Sequence, residues 1–140
     1  MIQQHTAPYA ALVLRLALGL MFLAHGLLKV VVFTVPGTVQ FFESVGFPGA
    51  LAYVTIAAEL GAGVLLIAGF ATRWVALATL PLLLGAAWVH LPNGWVFSAQ
   101  GGGWEYPVFL AAAALVQFLL GDGAYALSAR RALPSVARAV

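Results

Sequence analysis

Apolar residues along this chain fall into four long runs separated by short stretches holding most of the polar, glycine and proline residues. The runs extend from about Tyr9 to Val32, Gly49 to Phe70, Trp74 to Leu91 and Trp104 to Leu120. Each is rich in Leu, Ala and Val, and each is long enough, or nearly so, for a helical membrane span of about 20 residues. The strict alternation, short repeats and polar lumen positions of a membrane β-barrel are missing. The pattern predicts an all-α fold, an integral membrane four-transmembrane-helix bundle. It places one domain over residues 1–127 and a basic cytoplasmic tail over residues 128–140.

The connections differ in kind. Phe33–Pro48 joins the first two runs; Pro36 suits a helix start, and Gly46 followed by Pro48 suits a stop. Val39, Phe42 and Val45 recur at helical spacing with Phe41 beside them, which predicts a short helix lying in the membrane interface. Ala71-Thr72-Arg73 predicts a tight turn. Pro92–Gly103, with Asn93-Gly94 and Gly101-Gly102-Gly103, predicts a flexible loop. Asp122, between Gly121 and Gly123, is expected in the turn that ends the fourth helix. Glycines on the runs, including Gly19, Gly26, Gly61, Gly63, Gly69 and Gly85, offer surfaces for close helix approach.

Composition narrows the class further. The chain is 64% hydrophobic and 7% charged, whereas an average soluble domain is about a quarter charged. This excludes a disordered chain, a coiled coil and an ordinary cytosolic enzyme. Cysteine is absent, so the chain has no disulfide, thiolate metal site, iron–sulfur ligand or catalytic thiol of its own. A redox role would need a bound cofactor or a partner. The net charge of +2 rests largely on Arg130, Arg131 and Arg138, which mark a cytoplasmic side rather than a nucleic-acid surface. Met1–Pro8 holds no Lys or Arg and no cleavage signal follows, so the first helix is expected to be retained.

Ionisable groups inside the runs are the candidate chemistry, because each costs about 2.5–3.5 kcal/mol to insert. Arg15 and Lys29 lie close to four helical turns apart, on a stripe with Gly19, Phe22 and Gly26. His25 borders that stripe. Glu59 stands near the middle of the second run with nothing on its own helix to neutralise it. By depth His25 lies nearest, and Arg15 is within reach of its long side chain. One expectation is therefore a structural Arg15–Glu59 ion pair. The other is a proton-binding or ligand-binding Glu59 oriented by Arg15 or His25. His90 ends the third run, Pro81 frees a carbonyl within it, and Glu105 opens the fourth, where a carboxylate suits the helix dipole. His25, Lys29, Glu59, His90, Asn93 and Glu105 all fall at or outward of the midplane, which predicts a polar pocket in the outer half of the bundle. No close His pair or HExxH spacing supports a metal, and none is expected.

An ordered set of these residues resembles the DoxX family. Arg15-Leu16-x-x-Gly19-x-x-Phe22-x-x-x-Gly26-x-x-Lys29 is similar to that family's first helix, Phe41-Phe42-x-Ser44-x-Gly46-Phe47-Pro48 to its first loop, and Glu59-x-x-x-Gly63-x-x-Leu66-x-x-Gly69 to its second helix. Thr72-Arg73, His90-x-x-x-Gly94 and Gly121-x-Gly123-x-Tyr125 are similar to later landmarks. The resemblance implies a four-helix membrane bundle with Arg15, Lys29, Glu59, His90 and Glu105 as candidate site positions. It also implies links to membrane redox complexes, such as a thiosulfate:quinone oxidoreductase, or to quinone-like and oxidative stress.

Three functions remain open. The first, favoured by the resemblance, is a redox-linked subunit that binds a quinone, with Glu59, Arg15 and His25 as the reactive group and Lys29, His90, Asn93, Glu105, Phe22 and Trp88 lining the slot. It would need the lipid bilayer and a further membrane or redox subunit, or a second copy of the chain. The second is a small proton-coupled transporter working through Glu59. The third is a non-catalytic assembly factor.

Lys and Arg set the orientation. Arg73 and the tail arginines share one side, with Arg15 near it, and the other side has only Lys29 at a helix end, so the positive-inside rule puts both termini in the cytoplasm of an inner membrane. Reporter fusions at Ala71 and Val140 should read cytoplasmic and a fusion at Gly102 exoplasmic. An exoplasmic signal at Val140 would overturn this topology.

Overall fold

The computed structural model describes residues 3–128 of the chain, so the basic tail expected at Arg130, Arg131 and Arg138 lies outside the described residues. The described part is all-helical: α1 (Ala7–Leu27), α2 (Val35–Ser44), α3 (Ala50–Ala68), α4 (Thr72–His90) and α5 (Glu105–Leu120). A π-helical turn (Leu28–Val32) prolongs α1, and a 3₁₀ turn (Leu91–Asn93) follows α4. Three helical stretches are long and apolar enough to cross a membrane: Ala7–Val32, Ala50–Ala68 and Thr72–Asn93. The fourth run forms a shorter apolar helix of 16 residues.

Each helix end has a local cause. Pro8 sits at the start of α1, where its missing N–H costs nothing. Thr34 turns the chain with φ 63°, and its Oγ1 accepts from the Gly37 N–H to cap α2. At the end of α3, Gly69 adopts the left-handed conformation (φ 70°). Its N–H donates to the Leu66 carbonyl, and that of Phe70 donates to the Leu65 carbonyl. This is a Schellman motif, which suits a residue without Cβ. Asp122, expected only as part of a turn, also accepts from the Thr72 N–H at 3.1 Å and so places a carboxylate at the N-terminus of α4.

The main pairings are α1 with α3 and α4 with α5; α3 on α4 and α1 on α5 join the two pairs. Leu18, Phe22, Leu66, Ala76, Leu83 and Ala114 form the buried core between them. Many large apolar side chains, among them Leu20, Val64, Trp74, Leu84, Trp88 and Phe109, are exposed on the outside. Helices that are apolar all round suit lipid as their outer solvent. The chain after α5 turns back onto the bundle: Ala124 N–H donates to the Pro8 carbonyl and Ser128 Oγ to the Gly69 carbonyl.

Small residues set the α1–α3 separation. A Cβ on Gly63 would lie 2.7 Å from the Leu23 backbone nitrogen and 2.9 Å from the Gly19 carbonyl oxygen, while one on Gly19 would lie 3.0 Å from the Ile67 nitrogen. These neighbours are backbone atoms and cannot rotate away. Gly61, two residues from Gly63, faces open space. Gly63→Ala should therefore lower stability by about 1–3 kcal/mol through overpacking, and Gly61→Ala should leave it unchanged or slightly raised. Thermal unfolding in detergent compares the two; equal stability would refute the close-contact account.

Candidate functional site

The glycine contacts fix the register between α1 and α3. Gly26 faces Leu60, Leu23 faces Gly63 and Gly19 faces Ile67. Lys29 then falls opposite Ala57, one turn or less from Glu59, and Arg15 falls beyond the last turn of α3. Alignment by loop ends alone puts the two helices out of step by about five residues, roughly 7 Å at 1.5 Å per residue. The loop ends mislead because α2 occupies the connection and lets the helix ends lie unevenly.

This register corrects the expected Arg15–Glu59 pair. Lys29 Nζ donates to Glu59 Oε1 at 2.8 Å. Arg15 instead donates to the Leu66, Ile67 and Ala124 carbonyls at 3.0–3.1 Å. Two of these belong to the last turn of α3, where the helix dipole favours a cation; the Leu66 carbonyl accepts from Arg15 in addition to the Gly69 N–H. Arg15, 1% exposed, thus ties α1 to the end of α3 and to the chain after α5. His25 is not the orienting group either: its Nδ1 lies 2.8 Å from the Met21 carbonyl of its own helix, and its ring stacks on Tyr106.

Lys29 sits within the π-helical turn, a wide and rare turn that is found frequently at functional sites. The buried Thr38 of α2 has its hydroxyl within hydrogen-bonding distance of the Lys29 carbonyl (3.1 Å) and the Thr34 carbonyl (2.9 Å). α2 is thereby fastened to the turn that carries the cation.

Between that turn, α2, α3 and α4 lies a cavity of about 290 Å³. Phe41, Phe42, Val45 and Phe47 form an apolar wall from α2 and the residues after it. α3 contributes Leu51, Thr55 and Glu59, spaced four apart and so on one face. α4 contributes the stripe Pro81, Leu82, Gly85, Ala86, Val89 and His90. Pro81 has no N–H to give the Leu77 carbonyl, and Gly85 leaves open space where a side chain would stand. Glu59 is 4% exposed; its Oε2 and the Nδ1 of His90 are buried without a hydrogen-bond partner.

Of the sequence candidates, the fold thus brings Lys29, Glu59 and His90 to one cavity and sends the others elsewhere. Phe22 belongs to the core and Trp88 is 69% exposed on the outer face of α4. Asn93 Nδ2 donates to the Gly101 and Gly102 carbonyls, and Glu105 Oε1 accepts from the Phe97 N–H at 2.8 Å. These bonds pin the third connection, which glycine content alone reads as flexible. Among the described residues no group of three or more His, Asp and Glu could hold a metal ion. Sequence reasoning missed Thr38, Thr55 and Phe47 as part of this region. Thr55 was signalled by its place one turn before Glu59; Thr38 carried no signal, since its role depends on how α2 folds back.

The Lys29–Glu59 pair yields a direct test. Removing one partner of a fully buried pair costs about 3–5 kcal/mol, and Lys29, with an 18% exposed side chain, should bring the cost of Glu59→Gln to about 3 kcal/mol or less. Lys29→Gln added to Glu59→Gln should recover much of the loss, and Arg15→Gln added to it should recover none. Thermal unfolding of the three variants measures this; rescue by Arg15→Gln would refute the assignment.

Comparison with known proteins adds a family and a relative. A family model described as DoxX matches residues 10–91, which hold α2 to α4, all but the first turn of α1 and every residue lining the cavity. The chain is 45% identical over 75 residues to a Bacillus subtilis (strain 168) protein named "Putative oxidoreductase CatD", an alignment covering 54% of each chain. The chain therefore spans about half the length of the curated relative it matches. No solved structure matches it.

Proposed function

Because the chain belongs to the DoxX family of membrane proteins, we propose that it is a redox-linked membrane protein whose cavity takes the ring of a quinone or a similar small aromatic ligand. The observation that carries this reading is the cavity itself: an ion pair and an imidazole set into a wall of phenylalanines. Small-molecule pockets of about 300–1,000 Å³ are mostly apolar with a few fixed polar groups. At about 290 Å³ this one suits a single ring or head group. The phenylalanines offer faces and edges for stacking. Lys29 keeps donors beyond the one it gives Glu59, and His90 supplies a further polar contact. The printed name of the Bacillus subtilis relative, an oxidoreductase, supports a redox role.

Without cysteine the chain supplies no thiol electrons, so in this reading the electron donor sits on another membrane or redox subunit. α5 acts as the fourth span; its 16 residues rise about 24 Å, and Trp104 and the glycine run before it complete the crossing at the interface. α2 lies in the outer interface of an inner membrane, both termini are cytoplasmic, and the cavity opens toward the outer half.

Gentle purification in native lipid followed by solvent extraction tests the reading. Quinone should be recovered in a reproducible ratio to protein. Phe42→Ala and His90→Ala should lower that ratio severalfold, and Phe109→Ala, on the exposed face of α5, should not. Absence of quinone from native-lipid preparations would overturn the proposal.

A further inference from the structure

We propose that the cavity binds the hydroquinone form of its ligand in preference to the quinone, with one ring hydroxyl bridging Lys29 and Glu59; this rests on the quinone reading above. The preference follows from the donors and acceptors that the site holds. Lys29 Nζ carries three N–H donors and no acceptor, and one donor goes to Glu59 Oε1. Glu59, ionised in this pair, only accepts, and its Oε2 is buried with no donor among the described residues. The site therefore lacks a donor beside the carboxylate and has spare donors on the adjacent ammonium.

A quinone carbonyl answers half of that need. It accepts from Nζ but offers nothing to Oε2, and it sets its own negative oxygen beside a carboxylate. A hydroquinone hydroxyl answers both, accepting from Nζ and donating to Oε2. A water molecule bridging the pair in the empty site would not change the ranking, because only the hydroxyl reproduces the water's bonds when it displaces it. His90 does not discriminate: a neutral imidazole presents either a donor or an acceptor at Nδ1, according to its tautomer. The discrimination thus lies with Glu59.

A hydrogen bond to a charged group contributes enough to make the preference about tenfold or more. Tighter binding of the reduced form makes the bound quinone the stronger oxidant, and a tenfold preference raises the potential of a two-electron couple by about 30 mV. The bound ligand would then draw electrons from its donor more readily than the free pool does, and it would leave most readily in the oxidised form.

The test is anaerobic calorimetric titration of the purified full-length protein with a short-chain ubiquinone, its hydroquinone, and the hydroquinone dimethyl ether, which keeps the shape without a hydroxyl donor. The hydroquinone should bind about tenfold or more tightly than the other two. In Glu59→Gln the side-chain amide can donate to a carbonyl, so the preference should fall to near one. The dimethyl ether makes the same comparison in the unaltered protein, so the test does not depend on that variant folding. Equal affinity for quinone and hydroquinone, or a dimethyl ether that binds as tightly as the hydroquinone, would overturn the preference and leave quinone binding standing. Failure of all three to bind would remove the quinone reading and this inference together.

Discussion

The rest of the structure depends on the close backbone approach of α1 and α3. Gly19, Gly26 and Gly63 bring the two helices so near that an added Cβ would meet backbone atoms or the half-buried Leu60 side chain at 3.0 Å or less. Between membrane helices the apolar side chains gain little by leaving lipid, so packing density and polar contacts hold the pair together. The same contacts fix the sliding register. A slip of one helical turn would carry Lys29 away from Glu59 and Arg15 away from the carbonyls at the end of α3.

The two cations of this helical stretch, Arg15 buried and Lys29 half-buried, consequently have different work. Arg15 meets a cluster of backbone carbonyls, which need a donor and cannot titrate, and its planar guanidinium reaches three of them from two directions. It acts as a tertiary cap and a clasp for the end of the described chain. Lys29 meets a carboxylate beside a cavity, and neither group uses all its bonding capacity there. A saturated network rigidifies a fold, whereas a buried polar group left without a partner is costly.

α2 completes the cavity. It is a short helix with a single buried residue, Thr38, fastened through that residue to the π-helical turn. Its phenylalanines supply the apolar wall that turns the surroundings of the ion pair into a half-open cavity. Because Lys29 belongs to the turn on which α2 is anchored, the position of the cation and the position of the wall are mechanically linked.

The sequence by itself determined the helical, membrane-embedded character of the chain, since four apolar runs with almost no charge admit no other solution in lipid. It also determined the helix ends, where Pro8, Gly69 and Gly121 act through local backbone geometry, and it marked Glu59, Lys29 and His90 as costly enough to require a role. Which of those groups meet was decided only by tertiary structure. Pairing across helices depends on register, and register is set by contacts between glycines and residues far away in the chain, not by the lengths of the runs. By depth His25 is the nearest partner and Arg15 is within reach of its long side chain, yet the first bonds its own helix and the second caps α3. Trp88 and Phe22 carried the right chemistry for a ligand slot, but the rotation of their helices sends one outward and the other into the core.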